Sequence, residues 1–118
     1  MKHKPEHERS TQAHLSLLAT ESAGDGGVRR LRYRTAAGYT VGTGRLMGTT
    51  IGEIEVRRTQ RRKGYGQAIL RDLIARGGRS LIALSEESRR LVEREGFILD
   101  PASCWHVLPD TPDVLREI

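Results

Sequence analysis

The chain has 118 residues, with 20 Lys plus Arg against 15 Asp plus Glu, a formal charge of +5 when the four His are neutral. That length suits one domain burying roughly two-thirds of its unfolded surface, and no stretch approaches the ~18 consecutive apolar residues of a membrane-spanning helix. Residues 1–12 are charged and polar rather than signal-like, and the single Cys104 excludes an internal disulfide and suits a reducing cytoplasm.

In chain order, 1–12 reads as a disordered arm and 13–118 as one domain. The run AHLSLLAT at 13–20 fits either a strand or a short helix, because periodicity does not separate the two at this length. SAGDGG at 22–27 is turn chemistry. Leu31, Tyr33 and Thr35 alternate with arginines, the period-2 pattern of a half-exposed strand. Tyr39, Val41 and Thr43 alternate again after a turn at Gly38, and 51–56 is a further strand beyond Gly48. After Gly64 the period changes: Ala68, Ile69, Leu70, Leu73 and Ile74 form an apolar stripe at helical spacing, closed by Gly77 and Gly78. A short strand at 81–84 follows. Ser85 then caps a second helix carrying Glu86 and Glu87 in its first turn, and Gly96 ends it. The last strand is read over 104–108. The fold class expected is α/β of the α+β type: a mostly antiparallel mixed sheet of about six strands with at least two packed helices.

The charge is concentrated. Arg57, Arg58, Arg61, Arg62 and Lys63 lie within seven residues, and the rest of the chain balances at fifteen basic to fifteen acidic. These cations sit between a strand and two glycines, Gly64 and Gly66, that open a helix. Glycines let backbone amides approach a ligand, and a helix N-terminus supplies unpaired donors with partial positive charge. The combination suits phosphate or pyrophosphate. Neither the Walker A pattern nor the dinucleotide Gly-x-Gly-x-x-Gly fingerprint is present.

Arg61-Arg62-Lys63-Gly64-Tyr65-Gly66 is similar to the Arg/Gln-x-x-Gly-x-Gly/Ala signature of the GNAT superfamily of acyl-CoA N-acetyltransferases, and Val56 falls where that family ends its central strand. Thirty residues on, Leu91-Val92-Glu93-Arg94-Glu95-Gly96-Phe97 resembles the family's Phe-Tyr-x-x-x-Gly-Phe helix end. The resemblance covers about 51–108. It implies acetyl-CoA as co-substrate, with the pantetheine arm along Val56, Arg57 and Arg58 and the pyrophosphate on the loop Arg61, Arg62, Lys63, Gly64, Tyr65, Gly66 and Gln67. It implies a strand-end amide near Val56 as oxyanion donor and direct attack by a substrate amine, whose proton passes to a general base. No metal is implied. A strand-edge homodimer is common among relatives of this kind, and the amine acceptor is not specified.

Glu53 and Glu55 are the candidate bases, with Glu53 favoured as deeper in the strand. They are expected to share a face with Ile51 while Ile54 and Val56 take the other. The alternative is that both pair with Arg32, Arg34 or Arg45 on neighbouring strands. The family's proton-donating tyrosine corresponds to Val92, which has no proton to give. That role is then empty, taken by water, or filled from elsewhere, with Ser85, Ser88, Tyr33, Tyr39, Cys104 and His106 as the candidate substitutes. Cys104 is expected on a strand as an inert buried thiol, and His3 and His7 as solvated residues rather than metal ligands. The family's usual helices between its first strands are replaced here by a glycine-rich turn, which would leave room for a large acceptor. The basic window could instead hold nucleic-acid backbone, but that reading leaves the glycine pair unexplained. A catalytically silent acyl-CoA binder is the other alternative.

Overall fold

Leu31 and Tyr33 turn inward and Arg30 and Arg32 outward, so the alternation in 28–34 produces a strand with one buried face. The computed structural model describes residues 17–109. The arm expected at 1–12, with His3 and His7, lies outside the described residues, as does the tail at 110–118. Seven strands, β1 (Leu18–Ala23), β2 (Val28–Arg34), β3 (Thr40–Met47), β4 (Thr50–Val56), β5 (Ser80–Leu81), β6 (Ile98–Asp100) and β7 (Trp105–Val107), form one sheet in the order β1-β2-β3-β4-β5-β7-β6. Adjacent strands are antiparallel except β4 and β5, which run parallel through the pair Thr50↔Ser80. Helices α1 (Tyr65–Ala75) and α2 (Glu86–Arg94) complete the mixed α+β fold. Of the ambiguous run at 13–20, residues 13–16 lie outside the described residues; 18–20 enter the sheet in β1, which continues into the predicted turn as far as Ala23, because pairing with Arg29 holds it there.

Helix α1 buries Ile69, Leu70 and Leu73 against the sheet. Each such side chain contributes about 1.5–3 kcal/mol by burial. Close approach depends on two glycines of β3: a Cβ on Gly42 would lie 3.0 Å from Ile69 Cδ1, and one on Gly44 2.9 Å from Leu73 Cδ1. A polar chain ties the same helix to β1 and β2. The Tyr33 hydroxyl donates to Asp72 at 2.6 Å, Asp72 also accepts from Arg76 Nε at 2.6 Å, and Arg76 reaches Glu21, which pairs with Arg29. Burial first, and the Asp72 hydrogen bond second, push the Tyr33 hydroxyl far above the usual tyrosine range, so it stays protonated as a donor. Helix α2 begins as its sequence requires, with Ser85 Oγ accepting from Ser88 N at 3.0 Å.

Three sequence expectations are corrected. The strand expected over 81–84 is only Ser80–Leu81; Ile82 and Leu84 leave the sheet and are exposed. Cys104 is not on a strand: it sits in the turn before β7, exposed and with φ 66°, while His106 is buried. The local driver is Asp100, whose carbonyl and carboxylate accept from Cys104 N, Ala102 N and the Ser103 hydroxyl. Third, Ile51 does not share a face with Glu53 and Glu55. The β3–β4 register passes from Gly44↔Ile54 to Leu46↔Ile51, so β4 carries one extra residue at a bulge. Ile51 therefore joins Ile54 and Val56 on the core side. Among the described residues, no helix is long and apolar enough to cross a membrane.

Candidate functional site

The sheet has one break. β4 and β5 share a single pair at Thr50 and Ser80, after which β5 turns to β7 and β4 continues alone on that edge. The β4 peptides alternate between the two edges: Arg57 N–H is spent on Val41 O at 2.8 Å, so the Val56 peptide groups turn to the open side. The Val56 carbonyl meets Arg61 Nε there, at 3.0 Å. Below the break lies a cleft of about 600 Å³, bounded by β4, the loop before α1, the end of β5 and the inner side of α2. Its size is that of an ordinary small-molecule site.

The loop closes one end. Arg58–Gln60 forms a single 3-10 turn, Arg62 adopts φ 65°, and Gly64 caps α1 at φ 86°. A left-handed cap at this position favours glycine because a Cβ would be strained. Gly64 O accepts the first bond of the helix, from Ala68 N at 3.1 Å, so helix geometry leaves the Gly66 and Gln67 amides pointing out of the N-terminus. The Gln67 side chain is occupied elsewhere: it donates to Glu95, which also accepts from Arg71 Nε at 3.1 Å. Partial burial raises the Glu95 carboxyl, but the hydrogen bonds from Arg71 and Gln67 prevail and hold it below the usual carboxylate range. This clamp fixes the start of α1 to the end of α2, the two helical walls of the cleft.

Of the residues singled out in the sequence, Glu53, Glu55, Val56, Arg61, Arg62, Gly64, Gly66 and Gln67 come together on the cleft wall. Arg57, Arg58 and Lys63 are exposed and not part of it, nor is Tyr65. Glu53 is ion-paired with Arg45 on the neighbouring strand, whereas Glu55 forms no ion pair among the described residues. The exposed Arg45–Glu53 contact is worth about 1 kcal/mol or less, so a ligand can displace it. Val92 is buried in the cleft wall. Among the six substitutes for the missing tyrosine, Ser88 alone lines the cleft, with its hydroxyl 2.8 Å from Ser85 Oγ. Tyr33 and His106 are buried outside the cleft on Asp72 and Glu93, and Tyr39 is exposed outside it.

The sequence signals did not include the apolar side of the cleft. Leu81, Ile82, Leu84 and Leu91 line it, with Leu84 90% exposed. Its only sequence sign was the apolar run after Arg79.

No protein-family model matches the sequence, and no curated protein sequence matches it. Among solved structures, the chain is similar to a Klebsiella pneumoniae protein to which acyl-CoA N-acyltransferase activity is provisionally assigned. The TM-score is 0.55 at 16% sequence identity, over 71% of this chain and 84% of that one. The likeness shows the fold, which is of the GNAT type.

Proposed function

We propose that the protein is an acyl-CoA-dependent N-acyltransferase of the cytoplasm, acetylating a primary amine from acetyl-CoA by direct attack in a ternary complex. The observation that carries the proposal is the junction of an unpaired strand edge with a basic, glycine-opened helix start in one cleft. Pantetheine is a slender chain with two amides and suits the open Val56 edge. A diphosphate is an anion and suits the Gly66 and Gln67 amides with Arg61 and Arg62. Arg61 spends Nε on the Val56 carbonyl and keeps its terminal nitrogens for phosphate.

The roles assigned to the chain follow. The Val56 amide donates to the thioester oxygen as charge develops. Glu53 or Glu55, on the same wall, accepts the proton that the amine loses as the new amide bond forms and the carbon–sulfur bond breaks. The thiolate departs toward Ser88, which takes the donor position that Val92 does not fill. Acetyl-CoA should raise the melting temperature, and thiol release in the presence of amines should report turnover. The pair Arg61→Ala, Arg62→Ala should weaken acetyl-CoA binding by about tenfold or more, each lost charge-assisted bond being worth ~1.5–3 kcal/mol. Unchanged affinity refutes the loop assignment. Glu53→Gln with full turnover removes Glu53 from the mechanism.

A second reading rests on Val92. A buried aliphatic where the family resemblance places an acid also suits a binder that holds acyl-CoA without turnover. Stabilisation by acetyl-CoA with no thiol release from any amine decides for it.

A further inference from the structure

Among the described residues, no helix covers the sheet face opposite α1. Strand residues alone line a groove of about 450 Å³ on it. Its charges are segregated: Arg30 and Arg32 of β2 and Arg45 of β3 occupy one side, Glu53 and Glu55 of β4 the other. Arg30 stands directly opposite Arg45 in the β2–β3 register, an arrangement that opposes sheet pairing unless an anion intervenes. Arg45 is neutralised by Glu53, but Arg30 and Arg32 have no hydrogen-bond or ion-pair partner among the described residues. Arg34, next on the same face of β2, has a buried Nε without a partner. Glu53 and Glu55 line both this groove and the cleft described above, so the two cavities share this stretch of β4.

We propose that this outer face is the acceptor site, and that it selects a polypeptide amine followed closely by carboxylates. The inference rests on the transferase reading for the identity of the reacting amine. Thr43 is paired with both Arg32 and Glu55, which sets arginine and glutamate two strand spacings apart, about 9–10 Å. An α-amine drawn to Glu53 and Glu55 thus has its second or third residue over Arg30 and Arg32, where Asp or Glu side chains would meet guanidinium donors. The open, four-strand width of the face suits an extended chain rather than an enclosed small molecule.

The test uses two hexapeptides with free α-amines and a C-terminal fluorophore, one with Glu at positions two and three and the other with Gln. An α-amine is chosen because it is less basic than lysine and more of it is unprotonated at neutral pH. Anisotropy on the full chain at low salt should show the acidic peptide bound about tenfold more tightly. Arg30→Gln with Arg32→Gln should erase that preference without lowering the melting temperature. Equal binding of the two peptides, or a preference that survives in the double variant, overturns the proposal. So does tighter binding of a single-stranded oligonucleotide of equal charge, or of free glutamate. The acetyl-CoA thermal shift, measured in parallel, judges the transferase reading separately, because peptide binding does not require it.

Discussion

Replacing Gly66 by alanine separates the fold from the proposed ligand site. Gly66 lies in the first turn of α1 at an ordinary helical φ, so a side chain there incurs no backbone strain. A Cβ added to it would sit 3.6 Å from Leu91 Cδ2 and 3.7 Å from Val56 Cγ2, ordinary contact distances that need no movement of either neighbour. Glycine-to-alanine in a helix is worth ~0.5–1 kcal/mol, from the lost freedom of the unfolded chain. At about 4 °C per kcal/mol for a domain of this size, the melting temperature should rise by about 2–4 °C. The same methyl group projects from the cleft wall between Val56 and Leu91, both of which line the cavity. Acetyl-CoA seated there would lose close backbone approach, and its dissociation constant should rise about tenfold. Calorimetry of the free protein and titration with acetyl-CoA supply the two numbers. A stabilised variant with unchanged acetyl-CoA affinity refutes the cradle, because fold and ligand would then not compete for that space.

Three further outcomes follow from the same contacts. Tyr33→Phe removes a buried hydroxyl from Asp72 while Arg76 still pairs with the carboxylate, so it should cost about 1–2 kcal/mol in urea unfolding; a neutral effect would show that the network does not hold α1. The Glu95 carboxyl is depressed in the folded state, so its contribution to stability is full above its ordinary value of 4.5 and fades as pH falls through the lower folded value. Glu95→Gln should therefore lower stability at neutral pH and flatten the loss seen on acidification below about pH 4.5; identical pH profiles for variant and parent would contradict the assigned clamp. Ser88→Ala should slow thiol release without changing acetyl-CoA affinity, and an unaffected rate would return the leaving-group proton to water.

What was legible in the sequence was local. Arginines alternating with Leu31 and Tyr33 specify a half-buried strand; Ser85 with Glu86 and Glu87 specifies a helix start; Gly64 and Gly66 mark the loop that opens α1. The unread features depend on partners distant in sequence. The extra residue of β4 appears only when Gly44 and Leu46 are set against Ile54 and Ile51, and that bulge moves Ile51 to the core side. Cys104 left its expected strand because Asp100 gathers the preceding turn. Neither arrangement has a period to detect. The pairing of Glu53 was readable as one of three arginine options, and geometry chose Arg45.

The proposed chemistry sits where the sheet fails. A parallel neighbour fully paired to β4 would satisfy every peptide group of Ile54 and Val56 and leave nothing for a ligand. β5 does not supply that neighbour, since only Ser80 meets β4 and Leu81 already pairs with His106 of β7. Ile82 and Leu84 then leave the sheet, and Ser85 caps the start of α2. The unpaired edge would be a site for indiscriminate strand addition, but bulky cations guard its end and a helix start lies across it. The five basic residues that account for the chain's net charge of +5 are all in the loop at this end of the break. Two of them, Arg61 and Arg62, line the cleft beside the Gly66 and Gln67 amides, and an elongated anion with amides in its tail would satisfy both charges and donors. Lengthening the β4–β5 pairing should therefore abolish acetyl-CoA binding even with every arginine retained.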